Sequence, residues 1–269
     1  MTSQTLVDTL ALARLSNRIR FHATNMVAIQ GFGYLGQAMS AAEIFATIFG
    51  NNRFKLGYDR FVLSPGHYVI VFYAVAAELG WIKKEELLSY GADGSLLEAI
   101  STERTPLIDL NCGSLGQGLS GGIGLALVAR EENKNRHTYV FLSDGEMEEG
   151  QIWEAAMFAG HHQVGNLTVL LDANNSQVDG SIDFVTTIEP LAAKWSSFGW
   201  QVAEVNGHDI AELTKAMNLA KDNQPLIIIA RTKIAGHMRA IPDSVDVHFI
   251  KLEPEITSGI LSQLEEEYV

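Results

Sequence analysis

The sequence has 269 residues, 47% of them hydrophobic, and a formal net charge of −13 at pH 7. This length and apolar content suffice for one large α/β domain, and the acidic excess excludes a nucleic-acid backbone as a partner. The single cysteine, Cys112, excludes an internal disulfide framework, and residues 1–10 lack the basic start and apolar run of a secretory signal, so we expect a cytoplasmic protein.

Apolar runs that end in turn residues alternate with helical patterns along the chain. The alternation predicts an α/β fold, with a doubly wound, mostly parallel sheet and helices on both of its faces. The predicted strands cover residues 61–63, 139–143, 167–172, 200–205 and 226–232. The predicted helices cover residues 6–29, 41–48, 69–79, 118–130, 152–164, 191–198, 210–221 and 256–267.

Residues 110–129 contain no charged side chain. This uncharged stretch is about as long as a membrane span. Six glycines interrupt it, so we interpret it as a loop that leads into a buried helix. No repeat or linker divides the chain, and we therefore expect a single domain over residues 1–269.

Two polar residues follow neighbouring predicted strands. Asp144 comes directly after the strand at 139–143, and Asn174 ends the next strand thirty positions later, with one helix between them. In such a βαβ unit both residues emerge at the carboxyl edge of the sheet, where ligands of open α/β sheets bind. Their oxygens suit Mg²⁺ or Ca²⁺ but are too few without phosphate oxygens, which indicates a phosphorylated cofactor. On these two residues alone, a helix cap and a loop turn explain the pattern equally well.

This segment resembles the thiamine-diphosphate-binding segment of the transketolase family. The family pattern is Gly-Asp-Gly, a spacer, Asn, and a downstream Asp-Gly. The sequence has Ser143-Asp144-Gly145, then Asn174, then Gln-Val-Asp-Gly at residues 177–180. The fold that the resemblance implies is the family's diphosphate-binding domain, called the PP domain.

The resemblance also implies a set of ligands. Asp144, the Asn174 side chain and the Ser176 backbone carbonyl would bind Mg²⁺ (or Ca²⁺ or Mn²⁺), with diphosphate oxygens and a water completing the coordination shell. Gly145 and Glu146 would contact the diphosphate of the thiamine diphosphate cofactor.

Three further segments extend the resemblance over nearly the whole chain. Residues 61–67 resemble the family's segment ending in Ser-x-Gly-His, residues 112–118 its glycine-rich loop, and residues 148–154 its following helix start. They imply roles for His67 at the diphosphate, Gly113 and Leu115 near the aminopyrimidine, and Glu149 and Glu154 in a catalytic carboxylate network that links paired active sites. Residues 116–121 also fit the dinucleotide pattern Gly-x-Gly-x-x-Gly, but no acidic residue ends a second strand about 20 residues further on.

Histidines mark where the sequence departs from the family. Tyr34 takes the place of one substrate-site histidine, and no histidine occurs near residues 98–100, where a second aligns. Because imidazoles exchange protons near neutral pH and these positions do not, we expect a modified or less hydroxylated two-carbon donor or acceptor. The family places a third histidine after the last strand: His237, assigned a catalytic role, and His248, assigned to cofactor binding, are both candidates.

The resemblance implies a partner chain. Full-length family members continue with a pyrimidine-binding domain, which supplies the glutamate that activates the cofactor. We therefore expect the N-terminal, diphosphate-binding subunit of a split transketolase-like enzyme that transfers a two-carbon ketol unit from a ketose or ketose phosphate to an aldehyde. Its C-terminal subunit would carry the pyrimidine site, in an assembly of two copies of each chain. The alternatives are a split thiamine-dependent carboligase that forms acyloins or transfers acyl groups, a nicotinamide oxidoreductase, and a noncatalytic remnant.

Overall fold

Six strands form one sheet in the computed structural model, which describes residues 8–219, 223–236, 238–242 and 245–267. The strands are β1 (Arg60–Leu63), β2 (Leu110–Asn111), β3 (Thr138–Ser143), β4 (Leu167–Ala173), β5 (Gln201–Asn206) and β6 (Leu226–Arg231). Their order is β2-β1-β3-β4-β6-β5, and every neighbouring pair runs parallel. The predicted parallel α/β sheet is confirmed.

Helices cover both faces of this sheet. They are α1 (Thr9–Gln30), α2 (Leu35–Phe49), α3 (Val69–Glu78), α4 (Gly118–Glu131), α5 (Gly150–His161), α6 (Ile182–Val185), α7 (Leu191–Ser197), α8 (Ile210–Met217) and α9 (Pro254–Glu267). Successive strand residues point to opposite faces, so Phe141 packs into the core beneath α1, α2 and α3, whereas Val140 and Leu142 pack into the core beneath α4, α5 and α7.

Helix α2 begins six residues earlier than the sequence pattern predicts, at Leu35 instead of residue 41. Glycine is unfavourable in the interior of a helix. Gly36, however, allows α2 to pass close to another segment. A Cβ atom at Gly36 would lie 2.7 Å from the carbonyl oxygen of Val247. Every residue of α2 is buried, so tertiary packing overrides the local preference.

The sequence pattern misses the shortest elements. Strand β2 has only two residues and α6 only four, and 3₁₀ turns occupy Gly66–Tyr68, Lys84–Ser89 and Gly145–Glu148. Elements of this length contain too few residues to show a period. The predicted helix at 210–221 ends at Met217, and its last two residues, like residues 6 and 7 of the first predicted helix, lie outside the described part of the chain. Among the residues that the structure describes, no helix has the length and apolarity needed to cross a membrane.

Candidate active site

The carboxyl edge of the sheet brings Asp144 and Asn174 together, as the sequence predicts. Strands β3 and β4 pair in register so that Ser143 lies opposite Asp172, which places both candidate ligands just past the strand ends. The Asp144 carboxylate accepts hydrogen bonds from the backbone N–H of Gly145 at 3.0 Å and of Asn175 at 2.6 Å. These bonds hold the side chain, which is 2% exposed, at the turn that leaves β3.

The Asn174 amide is held on both sides. Its Nδ2 donates to the Tyr68 hydroxyl at 2.9 Å and to the Asp172 carboxylate at 3.0 Å. Its Oδ1 accepts the backbone N–H of Ser176 at 2.9 Å. This last hydrogen bond holds the Asn174 amide oxygen next to the backbone of Ser176.

Asp172 is a site residue that the sequence reasoning missed. It is fully buried, and its carboxylate accepts hydrogen bonds from Ser40 at 2.6 Å, from Tyr68 at 2.9 Å, from Asn174 and from the Thr232 hydroxyl. A signal was present in the sequence, because an aspartate ends an otherwise apolar strand. Buried carboxylates need such partners, and here the partners come from four different parts of the chain.

Electrostatics at this edge favour a bound cation. Burial, together with the neighbouring Asp172 charge, raises the pKa of Asp144 to about 8. Burial also raises the pKa of Asp172. Among the residues that the structure describes, no positively charged side chain contributes to the pKa shift of Asp144. A divalent ion would relieve both the repulsion and the desolvation of these carboxylates.

The available donors suit a hard metal ion. Nowhere in the described part of the chain do three His, Cys, Asp or Glu side chains cluster in a way that could hold a metal. Asp144, the Asn174 amide oxygen and the Ser176 carbonyl are oxygen donors of the type that Mg²⁺ and Ca²⁺ prefer, and Mg²⁺ commonly takes its other oxygens from substrate phosphates and water. The residues present therefore fit a metal that is bound together with a diphosphate.

A cavity of about 210 Å³ opens beside these donors. Six predicted site residues line it, namely His67, Leu115, Asp144, Gly145, Ser176 and His248. Of the two histidines after the last strand, His248 lies at the cavity, with its ring centroid 5.3 Å from that of His67. His237 lies outside the described residues.

Both cavity histidines favour the neutral form. Burial lowers the pKa of His67 to about 3, with a smaller effect from His248, and burial also lowers the pKa of His248. The buried Gln37 amide orients His248: its oxygen accepts from Nδ1 at 3.3 Å, and its nitrogen donates to the His248 carbonyl at 3.1 Å. Neutral imidazoles can donate or accept hydrogen bonds at a polar ligand without adding charge.

The glycine-rich loop is attached to the site through Glu146. This fully buried side chain accepts from the Gly116 N–H at 2.8 Å and from the Ser64 hydroxyl, while Ser64 Oγ accepts from the Gly118 N–H at 3.1 Å. Gly116 has φ +83°, a conformation that favours glycine. The Glu146 side chain is thus bonded to groups inside the fold, and the loop presents Leu115 to the cavity.

Five predicted site residues that the structure describes do not line the cavity. Two of them, Asn174 and Glu146, are buried. Gly113, Glu149 and Glu154 are all exposed, Gly113 before α4 and the two glutamates at or near the start of α5. The predicted helix start also differs, because a 3₁₀ turn at Gly145–Glu148 precedes α5. The isolated chain leaves both glutamates accessible to another chain.

Tyr34 packs against both cavity histidines. Its ring centroid lies 5.3 Å from that of His67, 6.1 Å from that of His248 and 5.0 Å from that of Phe249. Phe32 extends this group, at 5.7 Å from Phe249. An aromatic cluster thus stands beside the two histidines.

Oxygen donors and neutral histidines around a cavity, at the carboxyl edge of a parallel sheet, define a cofactor-binding α/β domain. Residues 12–259 match the family model described as transketolase, thiamine diphosphate binding domain. The chain therefore belongs to the transketolase family, as its motifs predict, and the matched residues are the thiamine diphosphate binding domain of that family.

Similar proteins include separate subunits and longer chains. The chain is 34% identical to the 6-deoxy-6-sulfo-D-fructose transketolase subunit of Clostridium sp. (strain MSTE9), over 95% of this chain and 97% of that protein. It is 31% identical to an apulose-4-phosphate transketolase subunit of Phocaeicola vulgatus, over 84% of this chain and 83% of that protein. The crystal structure of transketolase from Campylobacter jejuni is similar with a TM-score of 0.86 and 26% identity, covering 95% of this chain and 43% of that one. The chain thus spans less than half of that transketolase.

Proposed function

We propose that this chain is the diphosphate-binding subunit of a two-chain enzyme that transfers a two-carbon ketol unit from a ketose or ketose phosphate to an aldehyde. The observation that carries the proposal is the set of oxygen donors, Asp144, Asn174 and Ser176, beside a cavity that also holds His67 and His248. Two relatives of similar length are named as transketolase subunits, which supports a split enzyme.

In this proposal Asp144, the Asn174 amide oxygen and the Ser176 carbonyl hold a magnesium ion, and the backbone at Gly145 and Glu146 receives the diphosphate. His67 lines the same cavity and hydrogen-bonds the anionic end of the cofactor. When bound, thiamine diphosphate supplies the electron sink that ketol transfer needs, while the protein binds and orients it.

The proposal includes a partner chain. We propose that it brings the pyrimidine site and the glutamate that activates the cofactor, in an assembly of two copies of each chain. The exposed positions of Glu149 and Glu154 support contact with another chain at the start of α5. We also propose that the enzyme is cytoplasmic.

The substrate is proposed to be a modified or less hydroxylated sugar. Tyr34 stands where the family has a histidine, and its ring packs with those of His67 and Phe249. A phenol offers a polyol one hydroxyl group, whereas an imidazole offers two ring nitrogens. The names of two relatives, which specify 6-deoxy-6-sulfo-D-fructose and apulose 4-phosphate, agree with such substrates.

The experiment combines the purified chain with a candidate pyrimidine-domain partner protein, Mg²⁺ and thiamine diphosphate. We expect ketol transfer from ketose substrates by the mixture and none by either chain alone. Turnover by this chain alone would refute the two-chain arrangement, and acyloin formation from pyruvate without ketol transfer would establish the carboligase alternative instead. Asp144→Asn should abolish activity, whereas Asp93→Asn, a change of the same kind at an exposed residue, should not.

A further inference from the structure

We propose that Tyr68 and Asp172 are positioning residues that, with Asn174, close a buried triangle of hydrogen bonds. The triangle fixes the direction of the metal-facing amide oxygen and the place of the neighbouring His67. This inference rests on the proposed function, because it assigns the work of aiming the metal ligand to residues that do not themselves bind the metal.

Three hydrogen bonds make the triangle. The Tyr68 hydroxyl donates to Asp172 Oδ2 at 2.9 Å and accepts from Asn174 Nδ2 at 2.9 Å, while the same Nδ2 donates to Asp172 Oδ2 at 3.0 Å. All three residues are buried. Each member is therefore bonded to both of the others in a site closed to solvent, where such bonds define geometry strongly.

The triangle leaves the Asn174 amide one orientation. The amide nitrogen carries the only N–H donors of this side chain, and it faces the Tyr68 hydroxyl and the Asp172 carboxylate, which can only accept. The amide oxygen must then face away from Asp172, where it accepts the Ser176 N–H. A carbonyl-type oxygen has two lone pairs, so one stays available to a metal ion placed between Asn174 and Asp144.

The same triangle reaches the histidine side of the cavity. Tyr68 directly follows His67 in a 3₁₀ turn, and the two ring centroids are 5.0 Å apart. The Tyr68 ring also packs on Phe141, with centroids 4.9 Å apart. Tyr68 thus joins the metal side of the cavity to the histidine side through one rigid aromatic side chain.

Two other hydroxyls bond Asp172 without touching the amide. Ser40 donates to Asp172 Oδ2 at 2.6 Å from α2, and Thr232 donates to Oδ1 from the segment after β6. Removing either hydroxyl takes one hydrogen bond from the same carboxylate, as removing the Tyr68 hydroxyl does. Ser40→Ala and Thr232→Val are therefore matched controls for Tyr68→Phe.

The test measures metal affinity and not turnover. Mn²⁺ is titrated into the full 269-residue chain, mixed with the candidate pyrimidine-domain partner and thiamine diphosphate, and free Mn²⁺ is read by electron paramagnetic resonance. We expect Tyr68→Phe to weaken Mn²⁺ affinity about 10-fold to 100-fold, the usual effect of losing an outer-shell partner. The two controls should weaken it much less, while urea unfolding shows similar losses of stability in all three variants.

The outcomes separate this inference from the proposed function. If the wild-type chain binds Mn²⁺ with thiamine diphosphate and Tyr68→Phe weakens binding no more than Thr232→Val, the triangle has only a structural role and the inference is overturned. If the wild-type chain binds no Mn²⁺ under these conditions, the metal site fails, and both the proposed function and this inference are overturned.

Discussion

Replacing Arg20 by methionine removes one half of a buried ion pair that joins α1 to α2. The Arg20 guanidinium donates to both Glu43 carboxylate oxygens at 2.6 Å, and the two side chains are only 3% and 8% exposed. Arg20 also donates to the Met39 carbonyl at 2.9 Å, next to Ser40, which bonds Asp172. The pair therefore supports the helix that carries part of the site.

The structure gives the size of the effect. Burial alone would raise the pKa of Glu43, but the Arg20 charge and the hydrogen bonds from His208 and Arg20 lower it from 4.5 to about 2. At about 1.4 kcal/mol per pH unit, this lowering is worth about 3 kcal/mol of folding free energy at neutral pH. Leaving one partner of a buried pair uncompensated costs about 3–5 kcal/mol. Because His208 still contacts Glu43 in the variant, we expect Arg20→Met to lower the free energy of unfolding by about 3 kcal/mol, the lower end of this range.

The pH dependence follows from the direction of the shift. Because the pKa of Glu43 is lowered in the folded state, the stabilisation is complete above its ordinary pKa of 4.5 and is lost as the pH falls towards 2. The stability difference between Arg20→Met and the wild type should therefore shrink through this window.

Urea unfolding followed by circular dichroism, at neutral pH and at several lower pH values, measures both effects. Lys134→Met is the matched control, because it breaks the Lys134–Glu132 pair, whose side chains are 47% and 45% exposed. An exposed pair contributes about 0–1 kcal/mol. The reasoning is refuted if Arg20→Met loses no more stability than Lys134→Met, or if its effect is the same at all pH values.

Three further predictions concern the site and its support. Asp144→Asn should abolish binding of Mn²⁺ with thiamine diphosphate while the circular dichroism spectrum stays that of the wild type; retained binding would remove Asp144 from the metal site. Gly160→Ala should destabilise the fold by at least about 2 kcal/mol in urea unfolding, because its Cβ would lie 1.8 Å from the Phe198 carbonyl oxygen. Gly124→Ala, which meets nothing within 4 Å in α4, should instead stabilise by up to about 1 kcal/mol, and equal effects would contradict this reasoning. Tyr34→His should raise kcat/KM of the reconstituted enzyme for ordinary xylulose and ribose phosphates relative to the wild type. Efficient turnover of these sugars by the wild type would contradict the substrate proposal.

The long elements could be predicted from the sequence because each has a clear period or apolar run. Strands β3, β4 and β6 lie within two residues of their predicted bounds. The early start of α2 could not be predicted, because Gly36 is unfavourable in a helix and its advantage comes from the close approach of Val247. The two-residue strand β2 exists through its pairing with β1, which no local pattern records.

The site divides in a similar way. Asp144 and Asn174 could be placed at one edge of the sheet because crossover rules fix where neighbouring parallel strands end. His248 lies at the cavity, and Tyr34 packs against it, through contacts between segments more than two hundred residues apart. No spacing rule brings such distant residues together, so the sequence does not choose between His237 and His248. The structure places His248 at the cavity.

The sequence by itself determined the parallel α/β architecture, the family and the metal-ligand candidates, because the period, the alternation of strands and helices along the chain, and the short motifs are local properties. Only the tertiary structure decided how those ligands are held. Asp172 looks in the sequence like one polar residue at a strand end, yet in the fold it accepts hydrogen bonds from Ser40, Tyr68, Asn174 and Thr232. A buried carboxylate must find its donors wherever the folded chain brings them, and that choice is made by packing and not by spacing.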